Sequence, residues 1–318
     1  MIDRLSPDAI IWAVAGSGWA LERKKWQVIP EVGELLKLGL VCTNYYFKKY
    51  YNYLSNSNMP DLFLRDEKNS ILITVEITTN PEKENLIPQL KHFLSQEYKD
   101  TVVDQVHHEV WLIVKADIID KIVERIEKEK IKRTTQLVIL TIDFDAKKGK
   151  YALKRVNGKH ISELSYLSDL IPLDQPESFP WLSAKLSLPS ILYGLGRDYF
   201  SQIRHRYPPT PLLEVYSNRA DVPYPYKTFK DYIIKLAILL PELIKIDKMD
   251  RFSVKEGSPK VILDKLDEIR DSTKEALEEK IKEEMTKSKK KTLKLVTKKK
   301  ITSYKLKTQT KLNNYKQK

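Results

Sequence analysis

Cysteine is almost absent. Cys42 stands alone in 318 residues, so no internal disulfide can staple the fold. Long apolar runs are missing too. The longest stretch without charge, Ala9 to Leu21, is too short to cross a bilayer and contains two Gly and a Ser. Asp3, Arg4 and Asp8 lie ahead of it and do not make a basic leader, so no signal peptide is expected. There is no Walker A run, which argues against an ATP-driven motor. Gly194 and Gly196 lack the preceding strand and the third Gly of a dinucleotide loop. The expectation is a soluble, cytoplasmic protein with no membrane partner.

Acidic residues are also missing from one place. The last 33 residues, Thr286 to Lys318, hold 13 Lys and no Asp, Glu or Arg. The preceding 285 residues carry 43 basic and 43 acidic side chains, so the whole excess of +13 sits in the tail. Lys289, Lys290, Lys291, Lys298, Lys299 and Lys300 form its densest clusters. A neutral body with a cationic tail suits a polyanionic partner. The body is apolar enough to bury a core: 42% of the chain is hydrophobic and 31% charged.

Hydrophobic periodicity divides the body. Residues 8–38 read as largely helical, with a break at Pro30 and an end at Gly39. Residues 40–53 are β-branched and aromatic. Asp61 to Leu64 is a short strand, Asp66 to Asn69 a turn, and Ser70 to Thr79 a strong strand with Ile71, Ile73, Val75 and Ile77 on one face. A helix over Glu84–Glu97, a strand over Glu109–Lys115, a helix over Asp117–Lys130, a strand over Gln136–Phe144 and a hairpin into Tyr151–Val156 follow. Helices between apolar strands imply a mixed α/β sheet that is partly parallel. Four regions are expected: an α/β domain over 1–164, a Pro-rich connector with short helices over 165–226, a small helical unit, in winged-helix style, over 227–285, and the tail over 286–318. Within the third, helices are expected over 228–245, 259–270 and 273–285, with a short strand at Phe252–Val254.

The chemistry concentrates around Pro60-Asp61 and Val75-Glu76-Ile77-Thr78. A carboxylate that begins one strand and another on its neighbour can converge at a sheet edge, where they offer hard oxygen ligands to Mg²⁺. These residues, with the helix–strand–helix that follows, resemble the PD-(D/E)XK nucleases, the restriction-endonuclease-like superfamily, over about residues 20–145. The resemblance implies a restriction-endonuclease-like sheet and a metal-dependent endonuclease that hydrolyses DNA. Asp61, Glu76 and the Ile77 carbonyl would hold Mg²⁺ or Mn²⁺. Leu21-Glu22-Arg23-Lys24 is similar to the first helix of archaeal Holliday-junction resolvases, which would give Glu22 a role. Glu31 and Glu34 compete for it. Gln89, with Phe93 four residues on, resembles the helical Gln of the RecB- and Cas4-like branch. Thr78 departs from the pattern, which has Lys there to stabilise developing negative charge. Lys91 on the following helix is the expected substitute. Many such nucleases act as homodimers to cut two strands. The alternative is an inactive nuclease-fold protein that binds nucleic acid in replication, mobile-element or viral biology.

Bland readings compete for the other features. His107 and His108 are adjacent on a strand, so they point to opposite faces and chelate poorly. Asp143 and Asp145 share a strand face near its end and read as a solvated edge. Tyr45 to Tyr51 mixes rings with Lys48 and Lys49, a composition that can grip nucleic acid or form a β-ribbon with half-buried rings. Arg197, Arg204, His205 and Arg206 suit a basic patch or a plain surface helix.

The tail carries its own prediction. Truncation after Met285 should weaken binding to a mixed-sequence DNA and flatten its salt dependence, since fewer counterions are released. Fluorescence anisotropy between 50 and 300 mM salt (roughly the range where such slopes are steep) checks this, and equal slopes would contradict it.

Overall fold

The computed structural model describes residues 5–18, 35, 39–43, 45–51, 53–54, 58–66, 68–102, 107–147, 150–157, 171–173, 185–201, 208–219, 222–255 and 257–287. Residues 19–34, including Glu22, Glu31 and Glu34, lie outside these, as do Arg204, His205, Arg206 and the tail beyond Lys287.

All eight residues of one strand, Ile71–Thr78, are buried. A strand covered on both faces must be central, with a layer on each side. In chain order the sheet strands are β1 (Leu40–Thr43), β2 (Leu62–Asp66), β3 (Ile71–Thr78), β4 (His107–Lys115), β5 (Gln136–Asp145), β6 (Lys150–Asn157) and β7 (Ile171–Leu173), and they lie side by side in that order. β1, β2 and β3 are antiparallel, β3, β4 and β5 parallel, and β5, β6 and β7 antiparallel again. The fold is thus the expected α/β with a mixed sheet. The turn expected at Asp66–Asn69 is there: Asp66 Oδ1 accepts the Asn69 N–H at 3.0 Å, and Ser70 takes a left-handed φ of 54°.

Parallel neighbours need crossovers. Helices α3 (Leu86–Phe93) and α4 (Gln96–Val102) join β3 to β4, and α5 (Ile119–Lys128) joins β4 to β5. The single helix expected over 84–97 is therefore two. Together with α2 (Tyr45–Tyr50) they cover one face, where Phe63, Leu72, Leu90, Phe93, Val110, Leu112 and Ile122 meet. The helix at Tyr45 was not expected. Tyr46, Phe47 and Tyr50 fall on one helical face and bury there, with Phe47 4.8 Å from the Phe63 ring.

The other face carries α1 (Pro7–Gly18) and the C-terminal helices: α6 (Leu188–Ser201), α7 (Leu212–Ser217), α8 (Tyr226–Leu239), α9 (Pro259–Asp271) and α10, over 274–287. A small sheet of β8 (Thr210–Pro211), β9 (Ile244–Ile246) and β10 (Arg251–Val254) lies among them. The helix expected over 228–245 ends at Leu239, ahead of Pro241, which cannot continue it. The connector expected over 165–226 contains the 14-residue α6, whose Leu188, Ile191, Leu192, Leu195 and Tyr199 are buried. At its centre Gly196 allows close approach: a Cβ there would come 2.5 Å from Leu266 Cδ2 on α9.

No seam divides the apolar core at residue 164. One buried cluster runs from Ile10 through Val75, Trp111 and Leu153 to Leu192, Leu236, Leu266 and Ile281. Its continuity predicts one cooperative transition. Leu266→Ala should cost about 2–5 kcal/mol. Urea curves followed by Trp fluorescence and by far-ultraviolet circular dichroism should shift together, whereas two separated transitions would mean independent domains.

Candidate active site

β2 begins at Leu62, opposite Val75, so β3 runs on for three residues beyond its partner. That overhang makes the site. Asp61 still donates its N–H to the Val75 carbonyl at 2.9 Å, but Pro60 before it has no N–H to extend the ladder. The next β3 donor, the Ile77 N–H, is taken instead by Asp61 Oδ2 at 2.7 Å. The carboxylate is thereby fixed at the strand end by the backbone it replaces.

Glu76 is on the face of β3 that turns toward α3 and α4, between Thr74 and Thr78. It has no exposed surface. A buried carboxylate needs compensation, and two lysines supply it. Lys83 Nζ donates to Glu76 Oε1 at 2.7 Å, and Lys185 Nζ to Glu76 Oε2 at 2.9 Å. Lys185 Nζ is also 3.6 Å from Asp61 Oδ1, so it bridges both acids. Burial raises the Glu76 carboxyl above its ordinary 4.5, and repulsion from Asp61 adds to this, while the two lysines pull the other way. Burial works against the Lys185 charge, but Asp61 and Glu76 outweigh it and hold the ammonium above its usual value.

The turn after β3 sets Lys83. Thr78 Oγ1 donates to the Asn80 carbonyl at 3.0 Å, and Arg125 on α5 donates to the Pro81 and Lys83 carbonyls. Thr78 thus shapes the turn. Beyond Glu76 on the same face, Thr74 Oγ1 bonds Tyr98 Oη at 3.2 Å and His108 Nε2 at 2.9 Å. Burial, then Lys99, pushes His108 down to about 3, so it stays neutral.

Asp61, Ile77, Thr78, Lys83 and Lys185 line a cleft of about 610 Å³. Its walls come from both halves of the chain: Tyr51 and Met59 on one side, Tyr224, Thr228 and Tyr232 on the other, with Pro7 and Ile11 of α1 between. No protein-family model, curated protein or solved structure matches this chain. What the cleft can do must be read from its own chemistry.

Two of the expected residues converge, and Ile77 lies beside them. Lys91 does not. It sits on the outer side of α3, whose buried positions are Leu86, Ile87, Gln89, Leu90 and Phe93, and its Nζ pairs with Glu129 Oε2 at 2.7 Å, with both side chains over two-fifths exposed. Gln89 is buried on α3 and does not line the cleft. Glu22 and the six tail lysines lie outside the described residues. The bland readings hold elsewhere: His107 is exposed while His108 is buried, and Asp143 and Asp145 accept from the nearby Phe144 and Lys147 N–H groups. Cys42 is buried and free, and burial raises its thiol, so it is no nucleophile.

Sequence reasoning missed Lys83 and Lys185. Lys83 was within reach, being the first lysine after the strand. Lys185 follows Glu76 by 109 positions and carries no local signal.

Asp61 and Glu76 are the residues that could hold a hard divalent cation. Two carboxylates converge on a point where the Lys185 ammonium already places positive charge. Among the described residues no cluster of three or more acidic, His or Cys ligands forms. Two carboxylates and a carbonyl suit Mg²⁺, which keeps several waters.

Lys185→Ala should remove the shared counter-charge and cost roughly 3–5 kcal/mol at pH 7. A group with a raised folded pKa is protonated early as pH falls, so Glu76 sheds its need for the lysine on the way to pH 4.5. The stability gap to wild type should therefore narrow between pH 7 and 4.5 in urea titrations. A gap independent of pH would contradict the assignment.

Proposed function

We propose that this protein is a metal-dependent phosphodiesterase that cleaves DNA as an endonuclease. The observation that carries the reading is that Lys185, in the lining of one cleft with Asp61, bridges Asp61 and the buried Glu76. The arrangement of α1, three antiparallel strands, α3 with α4, and a parallel β4 supports it further, since the sequence resemblance implies a mixed sheet flanked by helices. Asp61, Glu76 and the Ile77 carbonyl would hold Mg²⁺ or Mn²⁺. When bound, the ion would polarise the phosphate and supply a hydroxide-like water at neutral pH.

The chain's own residues do the rest. Asp61 is oriented by the Ile77 N–H and Glu76 by Lys83. Lys185 takes the part that the resemblance gives to a lysine at position 78. Its ammonium, held charged by both acids, faces the cleft where a phosphate would gain negative charge. In the overall reaction water adds to phosphorus, the P–O bond to the leaving sugar oxygen breaks, and that oxygen takes up a proton. The Lys-rich tail would supply sequence-independent affinity for the backbone.

A second reading keeps the fold and loses the chemistry. It is favoured by Thr78 at the motif position and by the two lysines that already neutralise the two acids. Then the cluster is a filled ion-pair network in a protein that binds nucleic acid.

The two readings separate in a cleavage assay. The first predicts cutting of DNA with Mg²⁺ or Mn²⁺, lost in Asp61→Ala and Glu76→Ala. Lys185→Ala, tested where it is folded, should lower kcat by about a hundredfold or more, while Lys91→Ala and Thr78→Ala stay near wild type. DNA binding with no cutting under any divalent metal would favour the second reading.

A further inference from the structure

The cleft's far wall is aromatic, and the C-terminal region builds it. Tyr224 precedes α8 and Tyr232 lies within it, their rings 5.2 Å apart and edge-on. Tyr51 faces them from the end of α2, close enough to raise both phenols electrostatically. Tyr224 is buried, whereas Tyr51 and Tyr232 are half-buried and line the cleft. Lys235 Nζ lies 5.8 Å from the Tyr232 ring centre.

We propose that this tyrosine wall takes one unpaired nucleobase, so that the phosphate reaching Asp61 and Glu76 belongs to a single strand or to an unpaired nucleotide at a flap, bulge or junction. The proposal rests on the phosphodiesterase reading and adds its substrate class. Three observations carry it. Asp61, which lines the cleft, is only 6% exposed, and Glu76, joined to it through Lys185, has no exposed surface, so a phosphate must enter the cleft to approach them. A duplex presents its phosphates on a stiff, wide cylinder, whereas a single strand can bend one nucleotide into the cleft. The cleft, at about 610 Å³, has the size of a pocket for a small ligand such as one nucleotide. And a base that enters loses its stacking partners, which ring faces replace at little sequence cost.

The tyrosines act by stacking and not as nucleophiles. Burial, then Tyr51 and Asp231, raises Tyr232 to about 12, and burial, then Tyr232 and Tyr51, raises Tyr224 well above its usual value. Neither phenol ionises at neutral pH, so no tyrosyl–phosphate bond is expected.

The test uses the full chain and a 12-nucleotide DNA with 2-aminopurine at its centre, as single strand, as blunt duplex and as a duplex in which that base is bulged. With metal chelated, the single strand and the bulge should bind with quenched fluorescence and the blunt duplex without it. Tyr232→Leu should weaken single-strand binding roughly five- to hundredfold and abolish the quench, and Tyr232→Phe should restore both. Tyr51→Leu reads the same wall if Tyr232→Leu does not fold. With Mg²⁺ or Mn²⁺, kcat/KM should favour the unpaired substrates by about tenfold or more. Equal binding and cutting of the blunt duplex would overturn the proposal, as would a folded Tyr232→Leu with wild-type quench. Tyrosine-dependent binding of unpaired DNA without cutting would support the wall and overturn hydrolysis instead.

Discussion

Glu76 has no contact with solvent, and it lies on an interior strand of the sheet. An ionised carboxylate in that position has to be matched by positive charge, or it destabilises the fold by several kcal/mol. Lys83 matches it from the turn after the strand. Lys185 matches it from the far half of the chain and reaches Asp61 as well. The N-terminal sheet and the C-terminal helices are therefore joined by charge as well as by apolar contact.

That joint also explains where the cleft lies. β3 outruns β2 by three residues, which opens a gap at the sheet edge and leaves one backbone donor for Asp61. Helices α1 and α8 close over the gap without filling it. Helix α1 packs on the sheet, and the apolar residues of both helices, from Ile10 and Ile11 to Phe229 and Leu236, belong to one buried core. Packing thus holds the cleft's walls at a set distance, as a site that orients a phosphate requires. The C-terminal region, expected from its sequence as a connector and a separate helical unit, contributes Lys185, Tyr224, Thr228 and Tyr232 to the candidate site.

Much of this was legible in the residues. The run of Ile71, Ile73, Val75 and Ile77, followed by helical spacing and two more apolar strands, announces a mixed α/β sheet because strand and helix periods differ. Asp61 and Glu76 were found because a carboxylate on an apolar strand is costly without a purpose. Three readings failed for physical reasons. Lys91 was placed by helical spacing alone, which does not say which outward direction faces the carboxylates, and it faces Glu129. Tyr45–Tyr50 has strand-like composition, but the i, i+3 and i+4 positions of its rings serve a helix once Phe63 is there to pack against. The stretch before Tyr226 looked irregular because prolines flank α6 and hide its apolar stripe.

The sequence by itself determined the alternation of apolar strands and helices from Ile71 to Asp145, the pair of acids and the segregation of charge into the last 33 residues. Each of these is local, written in the period of apolar residues or in composition. Only the tertiary structure decided which cation meets the acids and which rings face them. Lys185 is 109 residues from Glu76, and Tyr232 is further still from Tyr51. Such pairs are chosen by how α1, α6 and α8 seat on the sheet, and no spacing along the chain records that choice.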